Sequence, residues 1–442
     1  MASHRFEEIL LPTGWAGDQL VETDGDGRIL SVSPTPENAG LPLIRGVAVP
    51  GMPNLHSHAF QRAMAGLAER AGPGADSFWT WRQVMYGFVE KLTPDDTEAI
   101  ATNLYQEMLK AGYTSVAEFH YLHHAPDGQP YDNIAETGER IAAAANATGI
   151  GLTLCPVLYA HGGFGGEAAG DGQRRFLNDA ERYLRLLEGC GSAVQNLNGG
   201  RLGIAPHSLR AVTGDLLSDV LAASDAITGN GPVHIHIAEQ MKEVDDCLHW
   251  SGQRPVDWLY EHFAVDSRWC LIHATHITET ERKRIVASKA VAGICPTTEA
   301  NLGDGLFPAT EFHAEGGVWG IGSDSHISVS PVEELRWLEY GQRLFHRGRN
   351  LITAGPGSST GRTLYDAALR GGAQALGQKL GRVEAGHRAD IVVLDRDCAT
   401  IAGRRADAAL DAWLFAGNIN PVRDVMAGGS WVVRDGEICP RP

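Results

Sequence analysis

The sequence predicts an α/β protein: a (β/α)₈ TIM-like barrel with a small β-sheet domain formed from both chain termini. Two observations predict this fold class. Between about residues 47 and 375, eight short β-branched runs alternate with helix-like stretches, whereas both ends of the chain are rich in short strands and turns. Alternation of strand and helix is typical of a parallel sheet, and eight such units at this length favour a closed barrel over an open sheet.

The barrel strands are expected where an apolar, β-branched run ends in turn residues. Amphipathic stretches separate these runs, and the segment 95–111, for example, has apolar residues at helical spacing. The predicted strands are 47–55, 114–119, 151–159, 202–206, 233–237, 269–273, 290–295 and 318–322.

The two chain termini have a different character from the barrel region. Segments such as GDGRILSV near the start and ADIVVLD near the end are short strands bounded by turns. Two β-rich ends that flank a barrel could pair into one sheet. We therefore predict a small β-sandwich-like domain from residues 1–50 and 376–442, and a catalytic barrel over residues 51–375.

Composition and charge exclude several classes of partner. The formal net charge of −17 argues against nucleic acid, because backbone phosphates would be repelled over most of the surface. No stretch approaches the roughly 18 apolar residues of a membrane span, and the first twenty residues lack a signal peptide's apolar run. The seven cysteines are scattered and never form a CxxC pair, which is typical of reduced thiols. These features predict a cytoplasmic protein without a nucleic-acid or membrane partner.

The strongest local signal is PGMPNLHSH at residues 50–58, where an apolar strand runs directly into a His-x-His motif. In an extended segment, residues two apart point to the same side, so the imidazoles of His56 and His58 converge. Imidazole nitrogens suit Zn²⁺ and similar borderline metals. An isolated His-x-His pair is, however, also compatible with two exposed or two core histidines.

Three later strands also end in titratable residues. The segment 233–239 reads VHIHIAE, the strand 269–273 ends in His273, and the last predicted strand is followed by Ser323 and Asp324. Catalytic residues of (β/α)₈ barrels concentrate at the carboxyl ends of the strands. The coincidence of these strand ends with His56 and His58 predicts a metal-dependent hydrolytic site at that end of the barrel.

These motifs carry a specific resemblance. PGMPNLHSH, HIHIAE, LIHATH and GIGSDSH occur in the order found in the amidohydrolase superfamily, in its subgroup of deaminases with one metal. The tail at 381–395, GRVEAGHRADIVVLD, is similar to that superfamily's C-terminal sheet segment, so the resemblance covers nearly the whole chain. It implies a homodimer with one divalent metal ion per chain, Zn²⁺ or alternatively Fe²⁺. The implied metal ligands are His56, His58, His236 and Asp324, and the implied catalytic residues are Glu239, His273 and Asp324.

Further stretches narrow the resemblance to a branch of that superfamily that acts on N-formimino-L-glutamate in bacterial histidine degradation. They are NLHSHAFQRAMAGLAER, DSFWTWRQVMY, EMLKAGYTSVAEFHYLHH, PHSLRAV and TEANLGDGLFPATEF. The implied reaction is metal-dependent hydrolytic deimination to N-formyl-L-glutamate and ammonia. The implied substrate-binding residues are Gln61, Arg82, Tyr121, His207 and Arg210.

The residue types agree with this small-molecule substrate, which carries two carboxylates. Arginine suits bidentate carboxylate recognition, and both Arg82 and Arg210 follow predicted strands on the side where the metal site is expected. The aromatic run 78–81 beside Arg82 is interpreted as a lid or pocket wall, with a core or dimer surface as the alternative. His120, His123 and His124 are interpreted as loop residues.

Other functions remain open alternatives. A deaminase of the same superfamily that acts on a purine or pyrimidine base would share every metal ligand, but it would need stacking surfaces more than arginines. A non-catalytic barrel that only binds a small molecule would be expected to lack one of the metal-binding residues. The stretch 357–361 fits the GxSxG pattern of serine hydrolases, but it interrupts a loop rich in Gly and Ser instead of following a strand.

Overall fold

The computed structural model describes residues 1–72 and 74–440. Its strands, in chain order, are β1 (Ala2–Leu11), β2 (Gly14–Thr23), β3 (Ile29–Pro34), β4 (Leu43–Pro50), β5 (Met52–Ser57), β6 (Tyr113–His120), β7 (Gly151–Leu158), β8 (Gly200–Leu202), β9 (Ala205–Pro206), β10 (Val233–Ile237), β11 (Trp269–His273), β12 (Val291–Ile294), β13 (Val318–Ile321), β14 (Ile391–Leu394), β15 (Val422–Ala427), β16 (Ser430–Arg434) and β17 (Glu437–Ile438). Its α-helices are α1 (Phe78–Val89), α2 (Pro94–Ala111), α3 (Glu136–Thr148), α4 (Ala180–Val194), α5 (Gly214–Thr228), α6 (Met241–Ser251), α7 (Pro255–His262), α8 (Glu279–Ser288), α9 (Pro296–Leu302), α10 (Ala309–Ala314), α11 (Pro331–His346), α12 (Thr360–Leu376) and α13 (Asp407–Phe415). Short 3₁₀ helices lie at Ala59–Met64, Phe164–Gly166 and Asp171–Phe176.

Strands β5 to β13 form the barrel. Two parallel half-sheets, in the orders β5-β6-β7-β8 and β10-β11-β12-β13, are bounded by helices, and β9 continues the fourth strand beside β7. Bridges close the barrel on both sides: Ile204 pairs with Val233, and Ser57 pairs with Asp324. The predicted barrel fold is therefore confirmed, and the second closure brings the first and last strands together.

The first predicted strand, 47–55, is wrong in its extent, because it spans two strands of different sheets. The chain changes partners at Gly51: Pro50 pairs with Ile391 in β14, whereas Met52 pairs with Tyr113 in β6. A Cβ atom at Gly51 would lie 2.3 Å from the Thr114 side chain, so only glycine permits this close passage. The apolar pattern runs through both strands and does not reveal the change.

The fourth predicted strand, 202–206, is also interrupted. β8 ends at Leu202 and β9 begins at Ala205. Between them, Gly203 donates its N–H to the Leu154 carbonyl and Ile204 donates to Pro232. The backbone therefore turns from β7 towards β10 at this point, which allows the fourth strand to contact both half-sheets.

The terminal segments form one eight-stranded sheet in the order β17-β16-β15-β14-β4-β1-β2-β3. β1 and β4 are parallel, and the other neighbours are antiparallel. Phe6, Ile9 and Val21 from the start of the chain pack with Ile391 and Met426 from its end. The predicted β-sheet domain from both termini is confirmed, whereas the exact division at residues 50 and 376 stays a prediction.

Helix α2, which lies beside the site, shows how the local sequence determines where a helix begins and ends. Thr93 caps its first turn in a reciprocal capping box with Asp96, Pro94 occupies the first turn, and Gly112 ends it in a left-handed conformation. Its buried face includes Leu104 and Met108, whose burial is worth about 1.5–3 kcal/mol each. Within residues 1–72 and 74–440, no helix combines the length and apolar character needed to cross a bilayer.

Candidate metal centre and active site

The predicted metal ligands converge at the carboxyl ends of three barrel strands. His56 lies near the end of β5 and His58 just beyond it, His236 lies in β10, and Asp324 follows β13. The Nε2 atom of His56 lies 3.1 Å from the Nε2 atoms of both His58 and His236. Asp324 Oδ1 lies 3.5 Å from His56 Nε2 and 3.3 Å from His58 Nε2. All four side chains are buried, so a three-histidine, one-carboxylate cluster occupies the barrel end.

The hydrogen bonds behind this cluster show that it fits a cation. His58 Nδ1 donates to the Phe119 carbonyl at 2.8 Å, and His236 Nδ1 donates to the His207 carbonyl at 3.0 Å. Because each proton is on Nδ1, the Nε2 lone pairs of these two rings face His56. His56 could donate one proton to one of them at most, which leaves the lone pair of the other ring without a donor.

The spacing and the charge state agree with a metal site. A tetrahedral site with ligand bonds of about 2.0–2.1 Å has its ligand atoms about 3.3 Å apart, close to the separations here. Burial lowers the pKa of His56, His58 and His236, which keeps the rings in the neutral form that binds metals. The family-implied divalent metal therefore matches the donor set, the tautomers and the spacing.

The backbone at these strand ends is strained. Ala238, His273 and Asp324 adopt left-handed backbone conformations with φ of 51°, 67° and 46°. Residues other than glycine adopt such conformations only in a small minority of cases. Gly322 allows the last strand to approach His56, because a Cβ atom there would lie 2.7 Å from the His56 Cβ. These turns aim Glu239, His273 and Asp324 towards the same point.

The predicted acid and base residues lie next to the metal cluster. His273 Nε2 is 3.6 Å from Glu239 Oε1 and 3.7 Å from Asp324 Oδ2. On the other side of its ring, His273 Nδ1 lies 3.2 Å from Glu299 Oε1, which also accepts the Cys295 N–H. Glu299 thus orients the His273 ring towards Glu239 and Asp324.

The electrostatics of this pair favour proton exchange. Burial raises the pKa of Glu239, an effect that His273 and Arg210 partly offset. Burial alone would lower the pKa of His273, but the surrounding carboxylates, Glu239 first among them, raise it to about 10. A carboxyl group with raised proton affinity beside a cationic imidazole is suited to general acid–base chemistry near neutral pH.

A cavity with an empty volume of about 540 Å³ opens onto the cluster. Its aromatic wall includes Phe78 and Trp81 of α1, which agrees with the interpretation of residues 78–81 as a pocket wall. All of the predicted substrate-binding residues line it, namely Gln61, Arg82, Tyr121, His207 and Arg210.

Two arginines place positive charge on the cavity wall. Arg82 lies over the Trp79 ring with its Cζ 4.6 Å from the centroid, and Arg210 is 5.7 Å from the same centroid. The Nε atoms of both arginines are buried and have no hydrogen-bond partner. The nearest carboxylate to Arg210 is Glu239, at 3.9 Å. In a chain of net charge −17, these two guanidinium groups form a local positively charged patch that could bind an anion.

Two more of the predicted binding residues form a polar pair on the cavity wall. Gln61 Nε2 donates to the Tyr121 hydroxyl oxygen at 2.8 Å, so that hydroxyl can donate its own hydrogen into the cavity. Gln61 Oε1 is buried without a partner. The pair therefore offers one donor and one acceptor to a bound molecule.

Sequence reasoning missed several residues of the site. Glu299 orients His273, and Tyr86, Tyr159 and Thr298 line the cavity. A signal existed for Glu299, which is an acidic residue four positions after the end of the predicted strand 290–295. Little in the local sequence distinguishes the aromatic residues from core residues.

The interpretation of His120, His123 and His124 as loop residues is wrong for His120, which ends β6. All three side chains are buried and hydrogen-bonded away from the cluster. His120 Nε2, for example, lies 3.0 Å from the Thr137 hydroxyl. The strand continues beyond its apolar run because His120 pairs with Pro156 in β7.

The closed barrel and the cation site at its carboxyl end define the class of metal-dependent barrel hydrolases. Residues 47–432 match the sequence profile of the Amidohydrolase family, and the chain belongs to that family. Amidohydrolases are metal-dependent, so the cluster of three histidines and Asp324 is a site that could hold the metal.

Individual relatives agree over nearly the full length. A formimidoylglutamate deiminase of Pseudomonas aeruginosa is 58% identical over 430 residues, which cover 97% of this chain and 94% of the relative. An 8-oxoguanine deaminase of the same organism is 29% identical, over 96% of this chain and 91% of the relative. The crystal structure of an amidohydrolase from Brucella melitensis superposes with a TM-score of 0.92 at 52% identity, covering 99% of this chain and 96% of that chain. The predicted family, fold class and hydrolytic enzyme class are confirmed.

Proposed function

We propose that this enzyme hydrolyses the formimino group of N-formimino-L-glutamate, giving N-formyl-L-glutamate and ammonia, as a step of histidine degradation. The observation that carries the proposal is the pair of guanidinium groups, Arg82 and Arg210, on the wall of the cavity that opens onto the metal cluster, whose Nε atoms have no hydrogen-bond partner among the described residues. They match the two carboxylates of this substrate. The 58% identity to a formimidoylglutamate deiminase supports the same substrate.

The cavity supports one orientation of the substrate. Its carboxylates bind at the arginine side, where bidentate guanidinium contacts replace water. Gln61, Tyr121 and His207 offer further polar contacts to the bound molecule. The formimino carbon then points towards Glu239, His273 and the metal cluster. This end of the cavity is rich in carboxylates, which suits a cationic amidine group.

The reaction adds water across the formimino carbon and expels one nitrogen as ammonia. A divalent metal held by His56, His58, His236 and Asp324 would lower the pKa of water, so that hydroxide is available near neutral pH. Glu239 accepts the proton of the attacking water and delivers it to the departing nitrogen. His273, held by Glu299, donates a hydrogen bond that stabilises the charge developing in the transition state. Asp324 faces both the ligand imidazoles and His273, which supports a second role in proton transfer.

The remaining parts of the proposal concern assembly and metal identity. Zn²⁺ is the proposed metal and Fe²⁺ the alternative, because a site of three imidazoles and one carboxylate accepts either ion. We propose a homodimer, as the family resemblance implies, and a cytoplasmic location, which the scattered cysteines favour. The division into a small domain of residues 1–50 and 376–442 and a barrel of 51–375 belongs to the same proposal.

The substrate is tested by following ammonia release from N-formimino-L-glutamate, with the metal content of the same preparation measured in parallel. We expect stoichiometric ammonia and N-formyl-L-glutamate. 8-Oxoguanine and cytosine are the comparison substrates, because a base deaminase of this family would share the metal ligands. Release from a base and none from N-formimino-L-glutamate would reject the proposed substrate. Absence of metal and of any activity would favour a binding protein.

Replacement of Arg210 by Met tests the carboxylate contact. Removing one partner of a buried, hydrogen-bonded charge pair costs about 2–5 kcal/mol, which is roughly 30- to 3,000-fold in kcat/KM. We expect most of this loss in KM, with metal content unchanged. The variant should also discriminate less than the wild type between N-formimino-L-glutamate and N-formiminoglycine, which has a single carboxylate.

The matched control is Arg174→Met. Arg174 lies in the nearby 3₁₀ helix Asp171–Phe176, but its guanidinium binds the Pro126 carbonyl and Glu90. Its replacement should leave KM within about twofold, since exposed ion pairs contribute little. Unchanged KM in Arg210→Met, or a loss of metal from that variant, would contradict the proposed contact.

A further inference from the structure

The barrel closes between its last and first strands at the metal cluster itself. Backbone hydrogen bonds across this closure run from Asp324 N to the His56 carbonyl at 3.0 Å and from His58 N to the Asp324 carbonyl at 3.2 Å. Three of the four candidate ligands therefore belong to two chain segments that pair across this closure. The fourth, His236, lies in the other half-sheet.

A chain of buried side chains crosses the same closure behind the ligands. Asn54 Nδ2 donates to Ser323 Oγ at 2.5 Å, and Ser323 Oγ lies 2.9 Å from His326 Nδ1. His326 Nε2 lies 3.1 Å from Ser57 Oγ, which donates to Glu118 Oε2 at 2.5 Å. We call these five residues the closure chain, and each of them is fully buried.

The hydrogen bonds of the closure chain all run in one direction, with each donor on the Asn54 side and each acceptor on the Glu118 side. Glu118 also accepts the Ala59 N–H at 2.6 Å and the Tyr105 hydroxyl at 3.3 Å, so it acts as an acceptor only. Ser57 uses its one hydrogen on Glu118 and must accept from His326 Nε2. The neutral His326 ring then accepts at Nδ1 from Ser323, whose oxygen accepts from Asn54.

Four members of the closure chain lie within two residues of a candidate ligand, and the fifth, Glu118, is hydrogen-bonded to one of those four, Ser57. Asn54 lies two residues before His56, and Ser57 lies between the two ligands of β5. Ser323 precedes Asp324 directly, and His326 follows it by two residues. Asn54 Oδ1 also accepts the backbone N–H of Ser323 at 3.1 Å. A fully satisfied buried network of this kind is rigid, because breaking one bond leaves a buried polar group unpaired.

We propose that the closure chain of Asn54, Ser323, His326, Ser57 and Glu118 is a positioning device that holds His56, His58 and Asp324 in their metal-binding arrangement across the barrel closure. None of the five is one of the four candidate metal ligands, and none lines the cavity. They act through the ligands, by fixing the relative position of β5 and the segment after β13. The inference rests on the metal site of the proposed function and is independent of the substrate.

The test is the affinity for Zn²⁺, measured by competition with a chelator in the wild type and in His326→Phe. Loss of hydrogen-bonded partners behind metal ligands typically weakens metal affinity 10- to 100-fold, and we expect about that loss here. His326→Gln keeps a donor towards Ser57 and should recover part of the affinity. Ser57→Ala, a smaller change, should also weaken Zn²⁺ binding.

The control is the same substitution at His234. His234 is equally buried and lies two residues from the ligand His236, but its Nε2 bonds to the Ala375 carbonyl outside the closure chain. The second readout is the rise in Tm on adding Zn²⁺. A positioning role reduces this rise in His326→Phe, whereas a merely structural role lowers the Tm of the metal-free and metal-loaded forms equally.

The measurements distinguish a failure of the positioning role from a failure of the proposed function. Equal Zn²⁺ affinity in the wild type, His326→Phe and Ser57→Ala would overturn the positioning role while leaving the metal site intact. A similar loss of affinity in His234→Phe and His326→Phe would also overturn it. A wild-type protein that binds no metal would instead overturn the metal site on which both proposals rest.

Discussion

Replacement of Glu239 by Gln is expected to lower kcat by about 10²–10⁴-fold, the usual contribution of a general acid–base group. The amide has nearly the same shape as the carboxylate, but it cannot accept the proton of water or return it to the departing nitrogen. Since Glu239 is not one of the four clustered ligands, metal content should stay that of the wild type. Steady-state kinetics together with metal analysis of the purified variant measure both quantities.

The comparison variant is Glu243→Gln, four residues further along the chain. Glu243 Oε2 accepts the backbone N–H of Glu239 at 3.0 Å, and an amide oxygen can accept the same bond. Glu243→Gln should therefore keep most of the wild-type kcat. If Glu239→Gln retained kcat within about threefold, or if it lost its metal, the assigned role in proton transfer would be wrong.

The second large effect is expected from His56→Gln, which should lose both bound metal and activity. His56 is central in the cluster, since its Nε2 lies 3.1 Å from two other imidazole nitrogens. Removing the His56 imidazole should weaken metal affinity by more than the 10- to 100-fold that is typical of changes behind the ligands. Metal per chain, measured by elemental analysis, should fall from near one towards zero, and the wild type treated with a chelator should behave in the same way until metal is restored.

His234→Gln is the matched comparison for this variant. Its side chain is buried like that of His56 and lies in the strand that carries His236, but it points to the Ala375 carbonyl. An amide N–H can replace that donor, so metal and activity should be retained. Full metal content in His56→Gln would refute the assigned ligand, and loss of metal from both variants would indicate general damage to the barrel end.

Much of the candidate site could be predicted from local patterns. The strand-then-histidine pattern at 50–58 and the strand ends at His236, His273 and Asp324 all fall on the carboxyl side of barrel strands, where the catalytic residues of such barrels concentrate. Parallel strands in a closed barrel bring such residues together whatever their separation along the chain. The resemblance to the superfamily then supplied the individual assignments, including the five cavity residues.

Other features could not be read from any local pattern. The split of the first predicted strand at Gly51 depends on a change of pairing partners, from Ile391 to Tyr113, and both partners are distant in sequence. The left-handed conformations of His273 and Asp324 carry no sequence signal, since these residues rarely adopt them. They persist because the surrounding strand ends hold them.

The sequence by itself determined which chemical groups are available, the order in which the strands present them and the end of the barrel at which they meet. Only the tertiary structure decided their protonation and their neighbours: the Nδ1 protons of His58 and His236, the placement of Arg82 and Arg210 on the cavity wall, and the closure chain behind the ligands. The physical reason is the separation along the chain of the residues that determine each property. Strand period and residue type are local properties, whereas a hydrogen-bond partner is set by the register in which distant segments pair.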